Sequence, residues 1–245
     1  MASYRLCFPV VRNVEEYVRY ELSEYPVQHQ ITYKYYKARL EIFSGNYSEA
    51  RKNLQEALLL HPNIPTPNKK LILLYLIPLN LIIGVLPSQS TLQMEGMEKE
   101  YGGFVDSVRN GIFFFQIFHF FFYISFKKKK KGDINEFHRN MKEHGSAIRR
   151  RGLLLLIENV KPIVYRSLFR KIKTIYGKTQ IKLELFIDCL KSLGVEMEIE
   201  QLQCLLSNLI YKDLIKAYLK YPENYIIFSS GNPFPSLLDD EESDD

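Results

Sequence analysis

Arg166, Arg170 and Lys173 recur at i, i+4 and i+7 within the stretch "YRSLFRKIKTIYG". On a helix that spacing lines three cations along one solvent-facing stripe, opposite the apolar positions Tyr165, Leu168, Phe169, Ile172, Ile175 and Tyr176. Lys171, Lys178 and Lys182 extend the stripe. Cations in a row hold phosphates without reading bases, with an affinity that falls steeply as salt rises. The basic cluster Arg149, Arg150 and Arg151, together with Lys216 and Lys220 further on, supplies candidate contacts of the same kind. The competing reading is a solvated charged face, which most surface helices carry.

Other chemistries find no residues to perform them. The sequence has no GxSxG, P-loop, GxGxxG or HExxH pattern. His29, His61, His119, His138 and His144 are scattered, and a six-residue separation does not put His138 and His144 on one helical face for a metal. Cys7, Cys189 and Cys204 form neither a CxxC pair nor a Cys/His cluster, so reduced, mostly buried thiols are expected. Glu196, Glu198 and Glu200 invite an acid–base role, but they precede and open a helix, where carboxylates favour the positive end of the dipole. The expectation is a protein that is not an enzyme, with no catalytic residue, no metal and no cofactor.

The elements that must position these cations are helical. Tyr33, Tyr36, Leu40 and Phe43 recur at helical spacing, stop at Gly45 and Asn46, and give way to a second run through Tyr47, Ala50, Leu54, Ala57 and Leu58. The second run resembles the second helix of a tetratricopeptide repeat, where small residues admit a close neighbour. Residues 71–86 are apolar throughout, yet about 20 residues are needed to span a bilayer and Pro78 would interrupt the helix, so a buried repeat helix is expected. Residues 92–110 read as a polar connection with a short helix. A helical pattern then resumes, its apolar face continuing through Leu153 to Val160.

The last third has a different grammar. One helix is ended by Gly177, "TQIKL" is short and β-like, helices follow over 185–193 and 198–211, and "LIKAYL" and "YIIFSS" pair as a hairpin across "KYPEN". Helix, strand, helix, helix, hairpin is the order of a winged helix. The helix over 198–211 holds no Lys or Arg with which to read bases, and its apolar residues, Leu202, Leu206 and Leu209 among them, serve the domain core. The chain is thus expected to be mostly α, a tetratricopeptide-like helical solenoid followed by a C-terminal winged helix. Its boundaries are 1–111 for the repeats, 112–132 for a low-complexity insertion, 133–163 for the last solenoid helices, 164–235 for the winged helix and 236–245 for an acidic disordered tail.

Charge follows the same division. The formal excess of +5 equals the five lysines at 127–131. The remainder is balanced overall but polarised, with 14 Lys/Arg against 7 Asp/Glu over 149–220 and six acids in the last seven residues. The N-terminal stretch lacks an apolar h-region after a basic start, so a nuclear or cytosolic site is expected.

A helical solenoid running into a winged helix is the layout of the PCI domain. The strings "ITYKYYKARL", "NKKLILLYLIPLNLIIG", "LLLLIENVKPIVYRSLFRKI", "LQCLLSNLIYKDLIKAYL" and "NPFP" resemble the PCI domain-containing protein 2 family over roughly 6–111 and 133–235. The resemblance implies a subunit of a nuclear, pore-associated complex coupling transcription to mRNA export, also present in the cytoplasm. It implies pairing through the winged helix, at Leu202, Leu206, Leu209 and Tyr211, with a large PCI-containing export scaffold protein, and with a small acidic disordered subunit shared with the proteasome lid. The joint surface would bind RNA, DNA or both, without membrane contact. A PCI scaffold of the signalosome or proteasome-lid type, binding protein only, is the alternative. Similar proteins are longer at the N-terminus, so the chain reads as a C-terminal half.

They also read straight through where this chain carries "IFFFQIFHFFFYISFKKKKKG" at 112–132, with eight phenylalanines in the first fifteen residues. As a membrane helix the stretch is short, holds Gln116 and His119, and would divide one hydrophobic core across a bilayer. As an exposed basic patch it would be an aggregation hazard. A retained intron is the third reading, and a species-specific loop the alternative to it. Phe takes T-rich codons and Lys A-rich ones, and 21 residues are 63 nucleotides, which preserves the frame. Sequencing of the mature transcript is expected to show those nucleotides missing; their uniform presence would defeat the intron reading.

Overall fold

A glycine and an asparagine make the first turn. Helix α2 (Val27–Ser44) ends where Gly45 adopts φ 82°, a left-handed conformation that costs little without a Cβ. The Gly45 N–H then reaches the Ile42 carbonyl at 3.2 Å and the Asn46 N–H reaches Glu41 at 2.9 Å, the paired bonds of a Schellman stop. Helix α3 (Tyr47–Leu60) begins at once. It buries Ala50, Leu54 and Ala57 completely, the small residues letting its axis approach α2 closely.

The structure is a computed structural model. It describes residues 6–17, 21–113, 138, 141–142, 148–149 and 151–237, except 63, 65, 95 and 194. Two compact units emerge, residues 1–80 with 87–97, and residues 81–86 with 98–245. Most of the insertion at 112–132, the start of the 133–163 segment, Arg150 and the tail beyond Leu237 lie outside the described residues.

In the first unit α1 (Cys7–Tyr17) is tied to α2 by Glu15, which pairs with Lys37 at 2.7 Å and accepts from the Tyr33 hydroxyl at 3.2 Å. Helix α4 (Pro67–Ile82) corrects one expectation, because it runs through Pro78 without interruption. Proline forgoes a single intrahelical bond there, and burial of every residue from Ile72 to Leu79 outweighs that loss. Sixteen residues rise only about 24 Å, and no helix among the described residues is long and apolar enough to cross a membrane.

Residues 92–110 also differ from the reading of a polar connection. After the short α5 (Gln89–Met94), helix α6 (Glu98–Phe113) buries Tyr101, Phe104, Val105 and Val108 at helical spacing. Scattered charges and two glycines obscure that stripe in the sequence. In the second unit α6 packs on α8 (Lys161–Tyr176), which follows the single-turn α7 (Leu154–Glu158).

The winged helix forms as expected from its element order. Gly177, at φ 72°, stops α8 through its N–H bond to Lys173 at 3.0 Å. Strand β1 (Gln180–Lys182), α9 (Leu183–Ser192), α10 (Ile199–Tyr211), β2 (Ala217–Lys220) and β3 (Tyr225–Phe228) follow, and the antiparallel sheet has the order β1-β3-β2. Glu198 caps α10 in a reciprocal box with Gln201, whose carboxamide accepts the Glu198 N–H at 3.1 Å. The glutamate is structural, as its position before a helix implies.

Between sheet and helices lies an aromatic and aliphatic core. Phe169 meets Phe186 edge to face with centroids 5.3 Å apart, surrounded by Ile181, Leu190, Leu206 and Ile226, all fully buried. The wing tip is fixed by Asn224, left-handed at φ 54°, whose carbonyl accepts the Leu183 N–H at 2.8 Å and whose Oδ1 accepts from Gln203 at 2.9 Å. Phe186→Ala is expected to lower unfolding free energy by about 3–5 kcal/mol, read from the denaturant midpoint; a loss below about 1 kcal/mol would place the core elsewhere.

Candidate nucleic-acid interface

The cationic stripe on α8 is interrupted at its first member. Arg166 is buried: its Nε donates to the Leu214 carbonyl at 2.9 Å and its Nη2 donates to the Pro235 carbonyl. The guanidinium also lies 5.9 Å from the centre of the Phe234 ring. Among the described residues no carboxylate pairs with it. Burial first, and Arg170 second, push its pKa down to about 10. Arg166 is therefore removed from the candidate phosphate contacts. The segment after β3 folds back over the first half of α8, covering a side chain that helical spacing alone leaves exposed.

Further along α8, Arg170 is exposed and Lys173 half-buried. Lys171 is half-buried as well, and burial pushes its ammonium down to about 8, so its charge fades in mildly alkaline solution. Beyond the helix, Lys178 is exposed with its ammonium 5.6 Å from the centre of the Tyr176 ring.

The sheet supplies a second group. Lys182 is exposed on β1, with Nζ 5.7 Å from the centre of the Tyr225 ring on β3. Lys220 is exposed on β2 and paired with Glu223, a bond that raises its pKa. Lys216 is exposed just before β2, while its backbone bridges Pro233 and Ser229. Arg149 is exposed, Arg151 donates to the carboxylate of Glu100, and Arg150 falls outside the described residues. The expected stripe thus loses Arg166, and of the cations expected to extend it Lys182 lies on the sheet, as does Lys220 of the further candidates.

The expected partner contacts on α10 are also corrected. Leu202 and Leu206 are fully buried and Leu209 is 1% exposed, because they close the core against α9 and the sheet. Tyr211 keeps its place on the surface at 88% exposed. The thiols depart from their expected burial too, since Cys7 and Cys204 are exposed. No group of His, Cys, Asp and Glu among the described residues is arranged to hold a metal. Sequence reading missed the exposed Tyr218 on β2, for which the alternation of "KAYLK" was the available signal.

Helical repeats that end in a three-helix, three-stranded winged module define a PCI-type fold. No family profile matches the chain. Its sequence is 31% identical to a PCI domain-containing protein 2 homolog from Drosophila melanogaster, over 95% of this chain and 53% of that protein. It is 30% identical to a Dictyostelium discoideum protein of the same name, over 95% of this chain and 49% of the relative. A relative from Neurospora crassa, named Protein CSN12 homolog, is 27% identical over 87% and 46% of the two chains. The chain spans about half the length of these curated relatives, and over nearly all of its own length it is similar to the PCI domain-containing protein 2 family.

Arg166→Ala strips two buried carbonyls of their donor and is expected to cost about 3 kcal/mol of stability, whereas Arg170→Ala is expected to leave unfolding within about 0.5 kcal/mol of the parent. Equal melting temperatures for the two variants would return Arg166 to the surface.

Proposed function

We propose that this protein is a non-enzymatic PCI scaffold subunit of a transcription-coupled mRNA export complex at the nuclear pore, with a cytoplasmic pool. It pairs with a large PCI-containing export scaffold protein and a small acidic disordered subunit, and it contributes sequence-independent binding of RNA or DNA. The names of its relatives support the scaffold class. The observation that carries the nucleic-acid part is the exposed Arg170, with the half-buried Lys173 one turn further along α8, after Arg166 is withdrawn. Lys178 continues the charge beyond the helix. These cations contact phosphate, while α10, whose outward residues include Gln201, Cys204 and Asn208, has little with which to enter a groove and read bases.

A second reading, a scaffold of the signalosome or proteasome-lid type that binds protein only, draws on a different observation. Arg166, Arg151 and Lys220 all direct their charge at internal partners. Salt-dependent retention of nucleic acid separates the two readings.

In the assembled complex, the double variant Arg170→Glu with Lys173→Glu is expected to weaken RNA binding while leaving folding intact. The slope of log affinity against log salt should fall by about 0.7 for each single-strand phosphate that the variant no longer neutralises. Unchanged affinity at low salt would remove the claim that α8 binds nucleic acid.

A further inference from the structure

The outward face of the small sheet carries a pattern that phosphate binding alone does not use. Burial alternates along each strand, with Ile181, Ile226 and Phe228 facing the core. The intervening residues face solvent and fall into two cross-strand rows. Lys182, Tyr225 and Lys220 form one row, and Gln180, Ile227 and Tyr218 form the other. Tyr218 is 61% exposed. Tyr225 sits between Lys182 and Lys220 in the register, and the Lys182 ammonium lies 5.7 Å from its ring centre. Lys216 keeps the same alternation as Tyr218 and Lys220 and is exposed.

Tyr218 and Tyr225 are diagonal neighbours on adjacent strands, positions about 7–8 Å apart, so both rings stand on one face within reach of neighbouring bases of an unpaired strand. An open depression of about 360 Å³ adjoins Tyr218, Lys216 and Ile227, with Asp213 and Ser229 among its polar lining. It offers room for one base beside the Tyr218 ring. Glu223 engages Lys220, which leaves Lys182 and Lys216 as the cations directed at the sugar-phosphate chain.

We propose that the outer face of the β1-β3-β2 sheet is a stacking platform for single-stranded nucleic acid, in which Tyr218 and Tyr225 receive bases and Lys182 and Lys216 hold the adjoining phosphates. Complementarity selects this ligand over the others a basic surface could take. Cations alone suit any polyanion, duplex or acidic protein included, and rings alone suit any apolar partner. Rings interleaved with cations on a flat surface suit a chain that offers both a π-face and a phosphate at every unit. A duplex does not, because its bases are already stacked on one another. This inference deepens the proposed nucleic-acid role and rests on it, although it uses residues separate from Arg170 and Lys173.

The test uses the full chain and three labelled probes: single-stranded oligouridylate, the equivalent single-stranded DNA and a double-stranded RNA. Tyr218→Ala with Tyr225→Ala is expected to lower affinity for both single strands at least about fivefold while leaving the salt slope and duplex binding unchanged. Phenylalanine at both positions should restore binding, since it keeps the rings. Tyr218→Val with Tyr225→Val serves as a second ring-free variant that keeps the strands β-branched. Lys182→Ala with Lys216→Ala should reduce the salt slope for all three probes.

Undiminished single-strand binding by both ring-free variants would overturn the platform, and if the Arg170 and Lys173 reversals still weaken it, the phosphate-binding reading survives. Equal losses on single-stranded and duplex probes would likewise overturn it. So would release of a protein partner by the ring-free variants with nucleic-acid binding intact, which would make the face a protein-docking surface. Failure of the parent chain, alone and in its complex, to bind any probe would defeat both proposals together.

Discussion

One buried guanidinium joins the parts of the winged module. Arg166 reaches from α8 to the carbonyl of Leu214, in the turn that leads into β2, and to the carbonyl of Pro235, in the segment that leaves β3. Neither carbonyl belongs to a helix or strand, so neither has a ladder partner of its own, and a charged donor satisfies each better than a neutral one would. The hydrogen bonds cross 48 and 69 residues of sequence. Through them the entry and exit of the hairpin are referred to one helix, and the sheet is held with its apolar side inward. Arg170 and Lys173 share that helix, and Lys216 and Lys220 follow Leu214 directly into the hairpin.

The fold was largely legible because its signals are local. Gly45 and Gly177 mark helix ends that need a left-handed residue, and the small residues Ala50 and Ala57 mark a close helix contact. The runs around Leu219 and Ile226 have the composition and alternation of strands. Local signals failed where the decisive partner lies far along the chain. Pro78 argues for a break until the burial of its neighbours from Ile72 to Leu79 is known. Tyr101, Phe104, Val105 and Val108 form an apolar stripe that interleaved Gly102, Gly103 and Asp106 conceal.

The site was less legible for the same reason. Helical spacing places Arg166, Arg170 and Lys173 on one stripe, and only the return of residues 233–235 distinguishes the buried member from the exposed one. Spacing rightly assigns Leu202, Leu206 and Leu209 to the core, but α9 and the sheet bury them so completely that none is left for a partner. The aromatic residues of the sheet lay in plain view as alternation, but their meaning depends on register, and register places Tyr225 between Lys182 and Lys220. Residue type alone marks each as an ordinary strand tyrosine.

The asparagine at the tip of the wing has a kinetic consequence. Asn224 locks the hairpin to α10 and to the first residue of α9 before any ligand arrives, so the surface between the strands is prebuilt. Little chain entropy remains to be lost on binding. A ligand of the proposed kind would then be captured at a rate set by diffusion and electrostatic steering, and held for as long as its several short contacts took to open together.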